Sequence, residues 1–357
     1  MDSSLVTLRP LQSKQSLVDI RNTRVMKAIV YSEYGSADVL KYEEIEKPVP
    51  KDDEVLIKVL AASVNPLDWR LMEGTPRFVR LFSGLSKPRL GRPGVDVAGE
   101  IEAVGSKVTQ FKPGDKVFGA CRGAFAEYAC AAASKLVMKS GDVTFEQAAS
   151  LNVAGLTALQ GLRDKGKIQP GNKVLINGAA GGVGTFAVQI AKSFGANVTG
   201  VCSTKNVDLV RSIGADEVID YTRQDFTTSD LTSNQRYDLI LDCVGNHPFS
   251  ECRRVLTPIG RFVGVGAPHD LSVMDLLGSM IKDSLLSIFS SQKAVMFIAK
   301  SSQADLTLLA ELIATGKLKP VIERRYTLSE APDAVRHMEE GHARGKVVIT
   351  LNGAHET

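Results

Sequence analysis

The stretch from Lys173 to Lys192 constrains the fold of this chain more than any other. It reads KVLINGAAGGVGTFAVQIAK, a short apolar run followed by glycines and then by apolar residues at helical spacing. This order predicts a buried parallel strand, a tight turn and a helix. Because glycine has no Cβ, such a turn can bring backbone N–H groups close to a phosphate at the positive end of the helix dipole.

The turn departs from the pattern G-x-G-x-x-G, because Ala179 stands at the first glycine position. A second strand and helix follow at residues 196–202 and 208–214, which is the spacing of a dinucleotide-binding unit. An ordinary tight turn between strand and helix is the alternative. We predict that the pyrophosphate of a nicotinamide cofactor contacts Ala180, Gly181, Gly182, Val183 and Gly184.

The end of the second strand indicates which cofactor is bound. About twenty residues after Gly184, an NAD enzyme usually carries an acidic residue for the ribose diol, but this chain has Ser203. Ser203, Thr204 and Lys205 offer hydroxyls and a cation, which suit a 2′-phosphate. Tyr221 can stack on the adenine or contact the same phosphate. Lys205 alone could equally be a solvated loop residue, so the missing acid carries the prediction of NADPH.

Length, charge and cysteine usage limit the class of protein. At 357 residues the chain exceeds the usual size of one domain, so we predict two. The net charge of +3 is small, and no basic cluster with interleaved aromatic residues occurs, which argues against a nucleic-acid partner. The five cysteines show neither paired spacing nor C-x-x-C, a usage typical of a reducing compartment. We therefore expect a cytoplasmic protein.

The most apolar segment is too charged to span a membrane. Residues 273–289 contain Asp275, Lys282 and Asp283, so they predict an amphipathic helix rather than a transmembrane one. Such a helix can line a substrate cavity, form a subunit contact or pack on its own core. Residues 1–25 carry acidic side chains and no long apolar run, which predicts a flexible arm and not a secretory signal. An organellar targeting segment is the alternative that this arm leaves open.

The pattern of segments predicts an α/β protein with two units. Short strands separated by Gly and Pro over residues 27–131 indicate a small β-barrel, and residues 145–162 indicate a helix. Alternating strands and helices over residues 174–266 indicate a parallel sheet covered by helices on both faces. The tail returns to a helix and strands, so we expect the barrel to recruit it. The predicted domains are residues 26–148 with 300–357, the catalytic domain, and residues 149–299, the nucleotide-binding domain.

Other segments connect the chain with a known family. They are residues 63–69 (SVNPLDW), 94–100 (GVDVAGE), 153–160 (VAGLTALQ) and 341–346 (GHARGK). With the glycine turn, they resemble the medium-chain dehydrogenase/reductase superfamily, and within it the zinc-free, ζ-crystallin-like quinone oxidoreductases, including chloroplast envelope homologues and bacterial relatives. The resemblance spans residues 26–351. It implies a GroES-like β-barrel catalytic domain, a doubly wound Rossmann domain, and a homodimer formed by sheet extension near residues 293–298.

The resemblance also addresses metal binding. Zinc-dependent relatives carry a Cys near the position of Asn65, a His-Glu pair at that of residues 95–96, and another Cys near Asn152. None of those thiols or imidazoles is present, and Cys121 and Cys130 do not form a four-cysteine lobe. A zinc ion needs three or four converging N, S or O ligands, so we expect no metal site.

The absence of a Lewis acid favours one kind of reduction. Hydride addition to the β-carbon of an α,β-unsaturated carbonyl is electronically favourable, and the protein must orient the substrate and stabilise the enolate oxygen. The resemblance therefore implies an NADPH-dependent reductase of enals and enones, with quinones as further substrates. Two alternatives stay open: a quinone reductase proper, and a non-catalytic NADPH-binding protein like the crystallin and RNA-binding relatives.

The segment after a barrel strand supplies the catalytic candidates. By resemblance Asn65 faces the nicotinamide, where it can donate to the enolate oxygen; alternatively, it holds the loop through an Asx-turn before Pro66. Asp68 can donate a proton only if its pKa is raised, and a structural hydrogen bond is the alternative. Solvent is another proton source. Trp69 is predicted to wall the substrate pocket.

Further cofactor contacts are implied by the resemblance alone. Arg70 occupies the place of a family tyrosine that contacts the cofactor, which puts that contact in doubt. Lys346 can reach the adenosine phosphate or merely flank the last strand. Four residues match family positions near the ribose and carboxamide, although glycines are also ordinary in turns: Asn246, Val265, Gly266 and Ala267.

Overall fold

The computed structural model describes residues 25–75, 80–89, 91–228, 236–266, 291–341 and 343–351. Three sequence predictions lie outside the described residues: the arm up to residue 24, the amphipathic helix at residues 273–289, and the cofactor contact of Ala267.

The N-terminal unit is built from short strands, as its Gly and Pro spacing predicts. They are β1 (Val25–Val30), β2 (Lys41–Glu46), β3 (Glu54–Val64), β4 (Asp96–Val104), β5 (Lys116–Ala120), β6 (Tyr128–Ala132) and β7 (Leu136–Met138). The helices of this unit are α1 (Pro66–Glu73), α2 (Arg80–Ser83) and the short 3-10 turns Ala37–Val39 and Ala133–Lys135.

A helical segment at residues 145–165, here called the bridging segment, leads out of the barrel. It contains α3 (Phe145–Ala149), a π turn at Leu151–Gly155, α4 (Leu156–Gln160) and a second π turn at Gly161–Lys165. Thr144 caps its start, because the Gln147 N–H donates to Thr144 Oγ1 and the Thr144 N–H donates to Gln147 Oε1. The predicted helix is thus confirmed, but π turns interrupt its regular hydrogen bonding.

Over its described residues, the second unit forms a parallel sheet of six strands. Its strands are β8 (Lys173–Asn177), β9 (Asn197–Cys202), β10 (Glu217–Asp220), β11 (Tyr237–Asp242), β12 (Leu256–Gly264) and β13 (Lys293–Met296). Its helices are α5 (Gly182–Ser193), α6 (Val207–Ser212) and α7 (Phe249–Cys252), with a 3-10 turn at Thr204–Asn206. The strand order β10-β9-β8-β11-β12-β13 is that of a dinucleotide-binding sheet. The crevice for a ligand therefore lies where the order reverses, between β8 and β11.

The last two strands of the tail join the sheet of the first unit. The tail comprises α8 (Gln303–Ala314), β14 (Ile322–Thr327), a 3-10 turn at Leu328–Glu330, α9 (Ala331–Glu339) and β15 (Lys346–Thr350). Strand β15 pairs antiparallel with β3, so the barrel sheet has the order β14-β15-β3-β4-β5-β7, with β6 also paired to β3. The α/β fold, with a GroES-like unit and a Rossmann unit, is confirmed.

One strand begins earlier than its sequence suggests. The Pro and Gly at positions 258 and 260 predict a break before Arg261, yet β12 starts at Leu256. Leu256 pairs with Tyr237, and the register then shifts so that Arg261 pairs with Leu239. Residues 257–260 thus bulge out of the pairing with β11, and the strand continues because only these few residues lose their partners.

The two units share packed apolar residues. One buried cluster fills the barrel, and another runs from the Rossmann sheet through the bridging segment to barrel residues such as Phe118 and Val348. The domain boundary predicted at residues 148 and 149 falls inside this bridging segment. Among the described residues, no helix is both long and apolar enough to cross a membrane.

Candidate functional site

A cavity of about 630 Å³ lies between the glycine turn of the Rossmann unit and the barrel residues that follow β3. It opens at the carboxyl ends of β8 and β11, where the strand order reverses. The cavity brings together most of the residues predicted from the sequence: Asn65, Trp69, Arg70, Ala180, Gly181, Gly182, Val183, Gly184, Ser203, Lys205, Tyr221, Asn246 and Lys346.

The glycine turn is shaped by close backbone approaches. A Cβ at Gly184 would stand 2.1 Å from the Gly178 carbonyl oxygen, so this position admits only glycine. At Gly181 a Cβ would meet a single atom, at 3.4 Å, because that side faces the cavity. Gly181 also precedes the first turn of α5, whose N–H groups have no acceptor within the helix. Open space in front of free donors fits the pyrophosphate of a dinucleotide.

A carboxylate that the sequence analysis did not foresee lies next to Cys202 and Tyr221, at the end of the cavity where the sequence predicts the adenosine, here called the adenosine end. Asp220 ends β10 and pairs with Cys202 at the end of β9. The Thr204 hydroxyl donates to Asp220 Oδ2 at 2.6 Å, and the Thr222 hydroxyl donates to Asp220 Oδ1 at 2.8 Å. These hydrogen bonds, the one from Thr204 first, hold the pKa of Asp220 below its ordinary value. Thr204 is therefore occupied with Asp220 and does not line the cavity.

The groups left for a ligand at this end are a cation, a phenol and a hydroxyl. Lys205 is exposed and lines the cavity, as do Ser203 and the half-exposed Tyr221. The Arg344 guanidinium donates to the Lys205 carbonyl oxygen at 3.3 Å, which brings a second cation to the same rim. The motif GHARGK contains Arg344, but nothing in its local spacing indicates that it would lie beside Lys205.

Strand ends next to the glycine turn carry a polar network. Asn177 Nδ2 donates to Asp242 Oδ1 at 2.9 Å and to Asn246 Oδ1 at 2.8 Å. Asp242 Oδ1 also accepts from the N–H groups of Val244 and Gly245. The network holds Asn246 against the cavity, where the resemblance places a cofactor contact. The polar ends of two neighbouring strands, Asn177 and Asp242, are the sequence signal that could have found it.

Two further cofactor candidates, Val265 and Gly266, do not line the cavity. The Val265 and Gly266 N–H groups both donate to the Asp242 carbonyl oxygen, at 2.9 and 3.1 Å. A Cβ at Gly266 would stand 2.3 Å from the Cys243 carbonyl carbon. In the described structure this glycine permits close packing of two segments, as the turn alternative expects, and its contact with a cofactor stays a prediction.

At the barrel end, the side chain of Asn65 is fully engaged. Its Nδ2 donates to the Ser63 carbonyl oxygen at 3.1 Å and to Asp96 Oδ2 at 2.9 Å, and its Oδ1 accepts from Lys346 Nζ at 2.6 Å. A reversed amide would point donors at an ammonium and an acceptor at a carboxylate, so the neighbours fix its orientation. Both amide hydrogens are thus used within the protein. The expected donation from Asn65 to a substrate oxygen has no hydrogen available in this geometry.

Asp96 is the centre of this buried cluster. Its Oδ2 accepts from Ser63 Oγ at 2.6 Å as well as from Asn65, and its Oδ1 accepts from Asn152 Nδ2 at 2.9 Å and the Val153 N–H at 3.1 Å. Asp96 is fully buried. In the described part of the chain, no group of three or more His, Cys, Asp or Glu residues could hold a metal ion.

Asp68 lies behind the cavity wall. Its Oδ2 accepts from the Asn65 N–H at 2.8 Å, across the start of α1. Burial raises the pKa of Asp68 to about 7, and the Asp96 carboxylate adds to the shift. The pKa that a proton donor needs is therefore present, but the Asp68 side chain does not line the cavity. Trp69 and Arg70, by contrast, do line it, and burial lowers the pKa of Arg70.

Lys346 is the first residue of the last strand, as one of its two predicted alternatives has it. The Gly345 N–H donates to the Ala180 carbonyl oxygen at 2.9 Å, which fixes the start of β15 beside the glycine turn. The Lys346 side chain passes Gly182 and ends at Asn65, so it points to the barrel end of the cavity and not to the adenosine end. Burial lowers the pKa of Lys346, and the carboxylates of Asp96 and Asp68 oppose that shift.

Family comparisons agree with this architecture. Residues 51–141 match the alcohol dehydrogenase GroES-like domain, and residues 213–349 match the zinc-binding dehydrogenase family model. The chain is 35% identical over 340 residues to a chloroplast envelope quinone oxidoreductase homolog of Arabidopsis thaliana, covering 91% of this chain and 98% of the relative. It is 33% identical over 367 residues to a 2-methylene-furan-3-one reductase of Solanum lycopersicum, covering 97% and 86%.

Solved structures share the same fold. A quinone oxidoreductase from Coxiella burnetii superimposes with a TM-score of 0.80 at 33% identity, covering 92% of this chain and 99% of that one. The CurK enoyl reductase superimposes with a TM-score of 0.79 at 28% identity, covering 92% and 99%.

Proposed function

The chain belongs to the medium-chain dehydrogenase/reductase superfamily, and from that premise we propose that it is an NADPH-dependent reductase of enals and enones that also accepts quinones. Its relatives support an oxidoreductase that uses a nicotinamide cofactor. That the hydride is added to the β-carbon of an α,β-unsaturated carbonyl is our own proposal. Two relatives favour it by name, since one is a 2-methylene-furan-3-one reductase and the other an enoyl reductase.

One observation carries the proposal. The glycine turn that fits a pyrophosphate lines the same cavity as Asn65 and Lys346, and Asn65 is hydrogen-bonded to the buried Asp96 behind it. The bound dihydronicotinamide would supply the hydride. The protein would then orient the unsaturated carbonyl, exclude water and stabilise the charge that develops on its oxygen. A conjugated substrate suits this arrangement, because its negative charge is delocalised to the oxygen and needs hydrogen bonds there.

We propose that the reaction does not use zinc, although the matched family model carries zinc in its description. The positions that the resemblance equates with zinc ligands hold amides and a carboxylate, and these side chains are hydrogen-bonded to one another. The Lys346 ammonium, 2.6 Å from Asn65 Oδ1, would repel a divalent cation there. The donor set therefore does not fit zinc, which prefers thiolates and imidazoles.

The preference for NADPH over NADH rests on the rim at the adenosine end. Lys205 and the nearby Arg344 are cations that can pair with a 2′-phosphate. The Asp220 carboxylate would repel such a phosphate, but Lys205 and Arg344 set two positive charges against its one negative charge. The balance of charge at this rim favours NADPH.

A substrate panel tests the proposal. Purified protein is mixed with NADPH and, in separate reactions, a short alkenal, a vinyl ketone and an ortho-quinone, with and without a zinc chelator. We expect oxidation of NADPH with the alkenal and the ketone, a saturated carbonyl as product, and no effect of the chelator. Turnover of the quinone alone would indicate a quinone reductase proper. Tight NADPH binding without turnover of any substrate would indicate a non-catalytic binding protein.

We also propose a homodimer and a cytoplasmic location. Strand β13 is an edge of the described sheet, and Ile298 just beyond it is 91% exposed, as a strand awaiting a partner copy would be. Light scattering tests the dimer. We expect a dimeric wild type and a monomeric Met296→Lys, and a monomeric wild type would exclude the proposed dimer. The Arabidopsis relative is named for the chloroplast envelope, so a fluorescent fusion must decide the compartment.

A further inference from the structure

We propose that Lys346 is the hydrogen-bond donor for the oxygen on which negative charge develops in the substrate. This inference rests on the proposed function, because hydride addition to an enone is what creates that charge. It transfers to Lys346 the donor role that the sequence suggested for Asn65, whose amide hydrogens are both used within the protein.

The position of Lys346 fits this role. Its side chain lines the cavity at the barrel end, although the whole residue is only 2% exposed. An ammonium has three N–H donors, and Asn65 Oδ1 accepts one of them at 2.6 Å. Asp96 Oδ2 lies 3.8 Å away, too far for a good hydrogen bond. At least one donor is therefore left for a ligand in the cavity.

A purely structural ion pair explains the arrangement less well. Asp96 already accepts four hydrogen bonds, from Ser63 Oγ, Asn65 Nδ2, Asn152 Nδ2 and the Val153 N–H. It does not need Lys346 to satisfy its oxygens. A buried ammonium with an unused donor is costly to fold, and its placement in the wall of a cavity lets a ligand offset that cost.

The surroundings also explain why the cation would be effective. Burial reduces the screening of its charge, so its attraction for a developing oxyanion is stronger than in water. The charged groups that face it are Asp96 on β4 and Asp68 on α1, and both help to keep Lys346 protonated despite its burial. Asn65 fixes the ammonium in place. The interaction involves no transfer of the lysine proton, and the proton for the α-carbon comes from solvent.

A substituted phenol tests the donor without requiring turnover. Its phenolate mimics an enolate oxygen, and its absorbance reports the ionised form. In the presence of NADP⁺, we expect the wild type to bind the phenolate in preference to the phenol, and Lys346→Met to lose that preference at least tenfold. Lys346→Arg should recover part of it, because the charge is retained. The surface variant Lys317→Met should match the wild type. Equal preference in the wild type and Lys346→Met would overturn the proposal.

Enone kinetics and cofactor affinity separate this role from a phosphate contact. For Lys346→Met we expect kcat to fall at least tenfold while the Kd for NADPH stays within about twofold. A rise in that Kd with kcat unchanged would show that Lys346 binds the cofactor instead, and would overturn the proposal.

Two further results test the role of Lys346 even if Lys346→Met does not fold or the proposed function fails. If Lys346→Met does not fold, a structure of the wild type with NADP⁺ and the phenolate decides: the phenolate oxygen must lie within hydrogen-bond distance of Lys346 Nζ, and binding elsewhere would overturn the proposal. If the wild type turns over no enone but its phenolate preference depends on Lys346, the proposed function fails while the oxyanion donor stands.

Discussion

Lys346 and Asn65 are separated by 281 positions in the chain, yet Lys346 Nζ donates to Asn65 Oδ1 at 2.6 Å. This bond joins the last strand to the loop after β3 and holds two residues of the cavity wall together. Both residues are buried, so the loss of either partner leaves a polar group without its hydrogen bond.

Replacement of Asn65 by Ala should therefore destabilise the fold. We expect the free energy of unfolding to fall by about 2 to 4 kcal/mol, because Lys346 and Asp96 each lose a charge-assisted hydrogen bond. Urea unfolding measures it. The control Asn197→Ala removes an exposed amide that donates to the Gly171 carbonyl oxygen at 3.4 Å, and it should cost less than about 1 kcal/mol. Equal costs for the two variants would contradict the buried network.

Asp68 should make stability depend on pH. Its pKa is raised to about 7, so the folded state keeps this proton to a higher pH than the unfolded chain does. Stability then declines as the pH rises from about 4 through 7, by up to a few kcal/mol. Asp68→Asn should flatten this decline, whereas the exposed control Asp142→Asn should not. Urea unfolding at pH 5 and pH 8 checks this, and an unchanged slope in Asp68→Asn would refute the assignment.

Two alanine substitutions in the glycine turn should separate folding from binding. Gly184→Ala places a Cβ 2.1 Å from a backbone oxygen, so we expect a marked drop in Tm. Gly181→Ala meets only one atom, at 3.4 Å, and should keep the wild-type Tm while raising the Kd for NADPH at least tenfold, because its methyl group occupies the phosphate cradle. Thermal unfolding and cofactor fluorescence provide the two readouts. Normal NADPH affinity in Gly181→Ala would show that the pyrophosphate does not bind at this turn.

Lys205 should determine part of the preference for the 2′-phosphate. Lys205→Ala removes a cation from the rim, and we expect the Kd for NADPH to rise about tenfold, which corresponds to about 1.4 kcal/mol. The Kd for NADH, which lacks that phosphate, should change little. Calorimetric titration with each cofactor makes the comparison. An equal loss of affinity for NADPH and NADH would show that Lys205 contacts a part of the cofactor other than the 2′-phosphate.

The sequence predicted best those elements that are formed by residues adjacent in the chain. Strand, turn and helix at Lys173–Asn177 and Gly182–Ser193 follow from apolar spacing and glycines that are adjacent in the chain. The hydrogen bonds of Asn65 could not be predicted in this way, since its partners come from Asp96 on another strand and Lys346 on the last one. Only the pairing of β3 with β4 and β15 brings them together.

Asp220 shows the same limit at the adenosine end. A search for an acidic residue after β9 finds none, but parallel pairing sets the end of β10 beside the end of β9 and brings Asp220 to Thr204. The negative charge next to Thr204 thus comes from Asp220 on the neighbouring strand and not from the end of β9 itself. The carboxyl end of the adjacent strand is a position that sequence analysis of such units should include.

Transfer of deuterium from NADPH labelled at C4 of the nicotinamide tests the central claim most directly. The protein is incubated with each C4 stereoisomer of the labelled cofactor and a vinyl ketone, and the product is analysed by NMR and mass spectrometry. We predict a saturated ketone that carries one deuterium at the β-carbon, from one stereoisomer only. Deuterium at the carbonyl carbon of an allylic alcohol, or no transfer by protein that binds NADPH tightly, would contradict the account.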